Sequence, residues 1–176
     1  TIITGYGLTE CCGIVSMCRH DDTPETISNT SGRAIPDVEV QVVGDQDGTV
    51  VAWGENTKGQ AIVPEDLTGV SDIAAGAYHS LALKNDGTVV AWGWDNYGQA
   101  PVSIGLTGVT AVDAGIYHSL ALDSDGKVWA WGFNNFDQAT VPDFPNDAEV
   151  AAIAAGGWHN LVLLDNGEVV AWGYNA

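Results

Sequence analysis

Basic residues are scarce in this chain. Five Lys and Arg stand against 23 Asp and Glu, which gives a net charge of −18 over 176 residues. The shortage argues against nucleic acid as a partner, because binding to phosphate depends on Lys and Arg. The excess of acid favours basic partners through electrostatic steering, and an acid-rich, lysine-poor surface also suits high salt.

Cysteine and long apolar runs are scarce as well. The three cysteines, Cys11, Cys12 and Cys18, lie in the first 18 residues. Because their number is odd and two of them are adjacent, we predict neither a disulfide framework nor a metal site. The sequence contains no run of 18 apolar residues, so we predict no membrane span. The sequence does not open with a basic segment followed by an apolar one, so no signal peptide is visible. Secreted and cytoplasmic localisation both stay open.

What the sequence has is repetition. The phrase D-G-T-V-V-A-W-G stands at 47–54 and 86–93, and close variants follow at 125–132 and 166–173. A phrase typified by A-A-G-A-Y-H-S-L-A-L occupies 74–83, 113–122 and 154–163, and one typified by W-D-N-Y-G-Q-A occupies 55–61, 94–100 and 133–139. Self-similarity at a period of about 40 residues is typical of blade or solenoid arrays.

The repeats predict short strands joined by tight turns. Asp-Gly and Asn-Gly pairs supply the positive φ that a hairpin turn needs, and a third strand is expected near Val70–Ala75, Val109–Ala114 and Val150–Ala155. Val51 and Trp53 lie on one face of their strand and Val50 and Ala52 on the other. Because both faces are apolar, each sheet should pack between two neighbours, as the blades of a β-propeller do.

These phrases resemble the regulator of chromosome condensation repeat family. They are most similar to its bacterial short-repeat members, which include propeller-type β-lactamase inhibitory proteins. The resemblance implies an all-β fold, and we expect a partial β-propeller of about three blades after an N-terminal non-repeat segment. The predicted domains are 1–44 and 45–176, with units at 45–85, 86–124 and 125–165 and a partial unit at 166–176.

Aromatic residues recur in the loops of the repeats. Members of the resembled family use such loops to bind proteins, and aromatic anchors carry much interface energy. We predict a non-enzymatic protein-binding module, in an inhibitor-like form if the resemblance holds, and self-association through open blade edges. The alternative is that these rings pack on the loops of the next blade. The predicted binding residues are Tyr78, Trp94, Tyr97, Tyr117, Phe133, Phe136, Trp158 and Tyr174.

Other recurring polar residues favour structural roles. His79, His118 and His159 occupy the same place in successive units, so bonds to neighbouring backbone are favoured over a metal site. The repeated Asn and Gln side chains are expected to cap turns; they are Asn56, Asn134, Gln60, Gln99 and Gln138. The repeats contain no Ser-His-Asp order, paired-carboxylate site or phosphate loop, so we predict no catalytic residues and no cofactor.

The first 43 residues carry a different signal. Y-G-L-T-E at 6–10 and T-S-G-R-A-I-P-D-V-E-V at 30–40 resemble the adenylate-forming superfamily of acyl-CoA synthetases. The resemblance implies that Tyr6 lies against adenine, Thr9 contacts phosphate and Glu10 helps to hold magnesium. The family's glycine-rich phosphate loop, ribose-binding aspartate and C-terminal lysine are absent from the sequence, so this nucleotide site is predicted to be vestigial.

Two alternatives to a binding module follow. The chain is either an inactive fragment of an AMP-forming acyl-CoA ligase fused to a repeat scaffold, or a chimeric or designed scaffold with no specific partner. The junction favours a fusion, because residues 38–43 alternate like a strand and run into the first repeat. We predict that they form a hairpin with Thr49–Trp53, and that residues 19–37 form a loop.

Overall fold

The repeat region is built from strands alone. The computed structural model describes residues 49–102, 105–144 and 148–175, together with the backbone of 38–43. The residues predicted to be nucleotide-binding, Tyr6, Thr9 and Glu10, and the predicted loop 19–37 lie outside these ranges. Within them there is no helix, and so none that could cross a membrane. The strands are β1 (Val38–Val43), β2 (Thr49–Gly54), β3 (Val70–Ala75), β4 (His79–Lys84), β5 (Val89–Gly93), β6 (Val109–Ala114), β7 (His118–Asp123), β8 (Val128–Gly132), β9 (Val150–Ala155), β10 (His159–Leu164) and β11 (Val169–Gly173).

Nine of these strands form three antiparallel blades of identical order. The first blade is β3-β4-β5, the second β6-β7-β8 and the third β9-β10-β11, with the middle strand hydrogen-bonded to both others. The third strands predicted at Val70–Ala75, Val109–Ala114 and Val150–Ala155 are present with those bounds as β3, β6 and β9. Each is the first strand of its blade and is here called the inner strand. The turns after the middle strands carry Gly87, Gly126 and Gly167 at φ of 77°, 76° and 85°, which confirms the predicted hairpins.

The predicted hairpin at the junction is confirmed. Strand β1 pairs with β2 from Val38 opposite Gly54 to Val43 opposite Thr49, just as β4 begins its pairing with β5 at His79 opposite Gly93. Strand β1 also lies against β3, as β4 lies against β6 and β7 against β9. The β1–β2 sheet therefore occupies the place of the middle and outer strands of a blade that precedes the first.

The hydrophobic core lies between the sheets. Val50 of β2 packs with Ile73 and Trp92 of the first blade. Leu81 and Leu83 pack in the same way with the second blade, and the second packs on the third through equivalent side chains. The first and second blades therefore each have one face toward the preceding sheet and one toward the following sheet, as the apolar character of both faces predicts.

Glycines allow the blades to approach closely beside the inner strands. A Cβ atom on Gly76 would lie 2.5 Å from the carbonyl oxygen of Gly115, and one on Gly115 would lie 2.6 Å from that of Gly156. Real Cβ atoms do not come so near to backbone oxygen, so only a residue without Cβ fits between successive blades.

Candidate protein-interaction site

Two loops of each blade are held side by side by the backbone. The first loop comes before the middle strand and the second follows the outer strand. The amide of Trp94 donates to the carbonyl of Tyr78 at 2.8 Å, and equivalent bonds of 2.9 Å join Phe133 to Tyr117 and Tyr174 to Trp158. The aromatic positions of the two phrases are thereby brought together in every blade.

The eight predicted binding residues form one continuous surface, here called the aromatic rim. Tyr117 lies at its centre, stacked on Tyr78 at 5.3 Å between ring centroids with an interplanar angle of 7°. Most other contacts are edge-to-face, the arrangement that the ring quadrupole favours, and they run to Tyr174 through Phe133, Trp158 and Phe136. The rim comprises Tyr78, Trp94, Tyr97, Tyr117, Phe133, Phe136, Trp158 and Tyr174.

The rim packs internally and is also open to solvent. Tyr97, Phe136 and Tyr174 are exposed, while the other five rings are half-buried. Lys58 places its ammonium 5.6 Å from the centroid of the Trp94 ring. The rings therefore pack on neighbouring loops, as the alternative interpretation expected, and three of them are still exposed to solvent.

Under the rim, a glutamine from the preceding unit clamps each blade. The carbonyl of Gln60 accepts hydrogen bonds from Ser80 Oγ and Trp92 Nε1, both at 2.9 Å. Gln99 serves Ser119 and Trp131 in the same way at 3.0 and 2.9 Å. The carbonyl of Gln138 accepts from Asn160 Nδ2 and Trp172 Nε1 in the third blade.

The side chains of these glutamines confirm the predicted turn caps. Gln99 Oε1 accepts from the amide of Tyr97 at 3.0 Å, and Gln60 and Gln138 do the same in their loops. Asn56 and Asn134 also accept backbone amides within these loops, as predicted. The clamp made by the glutamine carbonyl was not predicted, and the offset between each Gln and the Trp that donates to it is not constant, being 32, 32 and 34 residues.

The clamp predicts a measurable difference between two tryptophans of one strand. Trp131→Phe removes a buried donor to the Gln99 carbonyl and should lower the free energy of unfolding by about 1–2 kcal/mol in urea titration. Trp129→Phe is the matched control, because Trp129 Nε1 donates to Asp123 Oδ2 where water can replace it, and should cost less than about 1 kcal/mol. Equal losses would contradict the clamp.

Two of the recurrent histidines link successive blades. His79 Nε2 lies 2.9 Å from Ser119 Oγ, and His118 Nε2 lies 2.7 Å from Asn160 Oδ1. Because Ser119 donates its own proton to the Gln99 carbonyl, His79 must be the donor in the first pair. Both rings are therefore Nε2–H tautomers. For His79 and His118 the structural role is confirmed, but the predicted backbone partners are wrong, since the partners of both rings are side chains of the next blade.

Burial keeps these histidines neutral. It lowers the pKa of His79 to about 3, with a smaller contribution from the charge of His118. It also lowers the pKa of His118 to about 4, against the opposing effect of the bond to Asn160. Imidazolium is costly to place where water cannot reach it, so the rings act here as fixed hydrogen-bond donors.

A carboxylate that sequence reasoning missed joins the second and third blades. Asp113 Oδ2 accepts from the amide of Ala155 at 2.7 Å, and its Oδ1 accepts from Ala114. Burial nevertheless raises the pKa of Asp113 to about 6, because desolvation of the charge outweighs the two bonds. The equivalent positions in the other blades are Ala74 and Ala154, so the repeat gave no signal for it.

Acidic side chains do not gather into a metal site in the part of the chain that the structure describes, where no group of three potential ligands occurs. An open cleft of about 450 Å³ beside the turn after β7 is lined by Asp123, Asp125 and Glu149, among others. The carboxylate of Asp123 already accepts from Trp129 and from the amides of Asp125 and Lys127, so it stabilises its own turn.

Both regions of the chain are similar to known proteins. A family described as regulator of chromosome condensation (RCC1) repeat matches residues 70–99, 109–138 and 150–176. A family described as AMP-binding enzyme matches residues 1–64. A 3-[(3aS,4S,7aS)-7a-methyl-1,5-dioxo-octahydro-1H-inden-4-yl]propanoyl:CoA ligase of Rhodococcus jostii is 54% identical over 55 residues, which are 31% of this chain and 10% of the ligase.

Solved structures agree on the fold. Prp20p from Saccharomyces cerevisiae superposes with a TM-score of 0.66 at 22% identity, over 78% of this chain and 43% of Prp20p. Human WBSCR16 gives 0.66 at 21% identity, over 79% of this chain and 46% of its own. This chain thus spans less than half the length of either protein. Three segments of the chain match regulator of chromosome condensation repeats and fold as successive blades of a β-propeller, behind a segment that matches AMP-binding enzymes.

Proposed function

We propose that the chain is a non-enzymatic protein-binding module that contacts its partner through the aromatic rim. The observation that carries this proposal is the unbroken run of rings across three blades, with Tyr97, Phe136 and Tyr174 exposed at its surface. Rings fixed by their neighbours lose little conformational freedom on binding. They provide rigid contact area on a scaffold that need not rearrange.

The charges of the rim loops favour a basic partner. Glu55, Asp95 and Asp137 lie in the loops that carry the rim, in a chain of net charge −18. Lys58 over Trp94 shows that a cation can sit on this surface, and an arginine or lysine of a partner would gain the same attraction from an open ring face. Binding should therefore weaken as salt is added.

Related folds support a protein as the ligand. The structure of Prp20p is reported together with its binding properties to Gsp1p and histones. The likeness of this chain to Prp20p is one of fold, so those partners are not transferred. Inhibition of a serine β-lactamase, implied by the resemblance to short-repeat inhibitors, is one specific form of the proposal.

The AMP-binding match supports a fusion as the origin of the chain. The related segment corresponds to 10% of the Rhodococcus ligase, and its match ends at residue 64, before the first matched repeat at residue 70. We propose no ligase activity for it. A scaffold without a specific partner is the outcome if the binding experiment fails.

The rim predicts which side chains a partner needs. The triple variant Tyr97→Ala, Phe136→Ala, Tyr174→Ala removes the three exposed rings and leaves the half-buried ones. It should lose at least about tenfold in affinity, or about 1.4 kcal/mol, because exposed aromatic anchors dominate such interfaces. The measurement is biolayer interferometry with a purified serine β-lactamase and with any protein captured from a cell extract, at low and high salt.

Ile62→Ala is the matched control, since Ile62 is an exposed apolar residue of the loop between β2 and β3 with no ring in the rim. It should bind as the unaltered chain does. If the triple variant keeps full affinity for every captured partner, the rim is not the binding surface. If the unaltered chain captures no protein, the alternative of a scaffold without a specific partner is favoured.

A further inference from the structure

The third blade has an apolar face that no other sheet covers among the residues that the structure describes. Leu163 is 42% exposed, whereas its equivalents Leu83 and Leu122 are 4% and 7% exposed under the following blade. Val169 is 62% exposed, against 9% for Val89. The side chains are of the same kind and hold the same positions, and the difference is that none of the described sheets packs on this face of the third blade.

The opposite end of the arc has the complementary face. Trp53 of β2 is 38% exposed and Val51 is 43% exposed, whereas Trp92, the equivalent of Trp53, is 8% exposed where it faces the β1–β2 sheet. The chain thus carries both halves of one interface, the following face on the third blade and the preceding face on the β1–β2 sheet. It already forms that interface internally between its own blades.

We propose that two copies of this chain associate head to tail, with the third blade of each packed on the β1–β2 sheet of the other. The described residues of one copy form four sheets, so the described parts of the pair make a ring of eight sheets with two identical contacts. A head-to-tail contact that closes after two copies leaves no apolar face uncovered.

The hydrogen-bond register supports the second copy as the occupant. In the internal contacts His79 bonds to Ser119 of the next blade, and His118 bonds to Asn160. Ser119 lies opposite Trp131 in its sheet, and Asn160 lies opposite Trp172. Each histidine therefore contacts the residue that is paired with the tryptophan of the next sheet. On the β1–β2 sheet the residue paired with Trp53 is Glu39. Head-to-tail packing therefore brings position 39 of one copy to His159 of the other, in the same register as the internal contacts.

The net charge makes a distinctive prediction about salt. Each copy carries −18, so two copies repel one another over long range while the apolar faces attract at contact. Added salt screens the repulsion, and the dimer should tighten as salt rises. This is opposite to the salt dependence expected for a basic partner on the rim, so the two proposals succeed or fail separately.

The test is sedimentation velocity of the 176-residue chain over a range of concentration and salt. We expect a monomer–dimer equilibrium that shifts toward the dimer as protein concentration rises and as salt concentration rises. Leu163→Asp and Val51→Asp each place a charge on one end face and should each weaken dimerisation by at least about tenfold. Ile62→Asp, at an exposed apolar position in the loop between β2 and β3, should leave it unchanged.

Mixing the two end-face variants tests the direction of packing. A Leu163→Asp copy keeps its preceding face and a Val51→Asp copy keeps its following face, so the mixture should recover a heterodimer held by one intact contact. Circular dichroism checks that each variant is folded. Loss with Leu163→Asp alone would mean that third blades pack on each other, and a chain that stays monomeric throughout would mean that something other than a second copy covers these faces. Either result overturns the proposal.

Discussion

Gly115→Ala is expected to destabilise the protein by more than about 3 kcal/mol, a large part of the roughly 5–15 kcal/mol that holds a typical domain together. The new Cβ would lie 2.6 Å from the carbonyl oxygen of Gly156 and would also meet the ring of His118. The carbonyl belongs to backbone and cannot turn aside, so the second and third blades must separate. The measurement is the free energy of unfolding in urea.

Gly126→Ala is the control for Gly115→Ala. Gly126 has a φ of 76°, and a Cβ added there would have no other atom within 4 Å, so alanine meets backbone strain without a clash. Its cost should be about 1–2 kcal/mol. If Gly115→Ala costs no more than this, the close approach of the inner strands is not what makes glycine necessary.

Acid is expected to unfold the protein through its buried histidines. His79 and His118 stay neutral in the folded protein down to pH of about 3 and 4, but in the unfolded chain they take up protons below 6.5. The unfolded state then binds more protons, so stability falls as pH falls from 6.5 toward 4, by about 1.4 kcal/mol per pH unit for each ring.

Asp113 opposes this trend. Its pKa is raised from 3.8 to about 6 in the folded protein, so between these values the folded state holds the extra proton. Its contribution to stability is present at low pH and is lost as pH rises through about 6. Between pH 4 and 6 the two histidines and Asp113 leave a net slope of about 1.4 kcal/mol per pH unit, with stability increasing with pH.

Urea titrations at several pH values test both signs. His118→Gln should reduce the slope of stability against pH between pH 4 and 6, because the variant lacks one ring that takes up a proton in the unfolded chain but not in the folded protein. Asp113→Asn should steepen it, although the amide keeps only part of the hydrogen bonding to Ala114 and Ala155 and lowers stability at every pH. Slopes unchanged in both variants would show that other groups govern acid unfolding.

Much of the architecture follows from the sequence because its signals are local. Asp-Gly turns and runs apolar on both faces predict the hairpins and the stacked blades, and the alternation of residues 38–43 predicts that β1 pairs with β2. The gathering of the aromatic rim was also predictable, since Tyr117 and Phe133 recur at fixed places in adjoining loops. That a partner binds there stays a prediction.

The contacts between blades were harder to foresee. Every residue has a carbonyl, so nothing in the sequence distinguishes the one at Gln99 that receives two donors. The partner of His118 depends on how blades stack, and the side chain of Asn160 reaches it across 42 residues of sequence. Asp113 occurs in one blade alone, and a prediction based on repetition passes over what does not repeat.

The order of the clamps along the chain matters for a protein made from its N-terminus. Gln60 precedes Ser80 and Trp92, and Gln99 precedes Ser119 and Trp131. Each blade therefore leaves the ribosome after the carbonyl that will receive its donors has already emerged. Growth can then proceed one blade at a time during synthesis, because no blade waits for a later residue to complete its clamp.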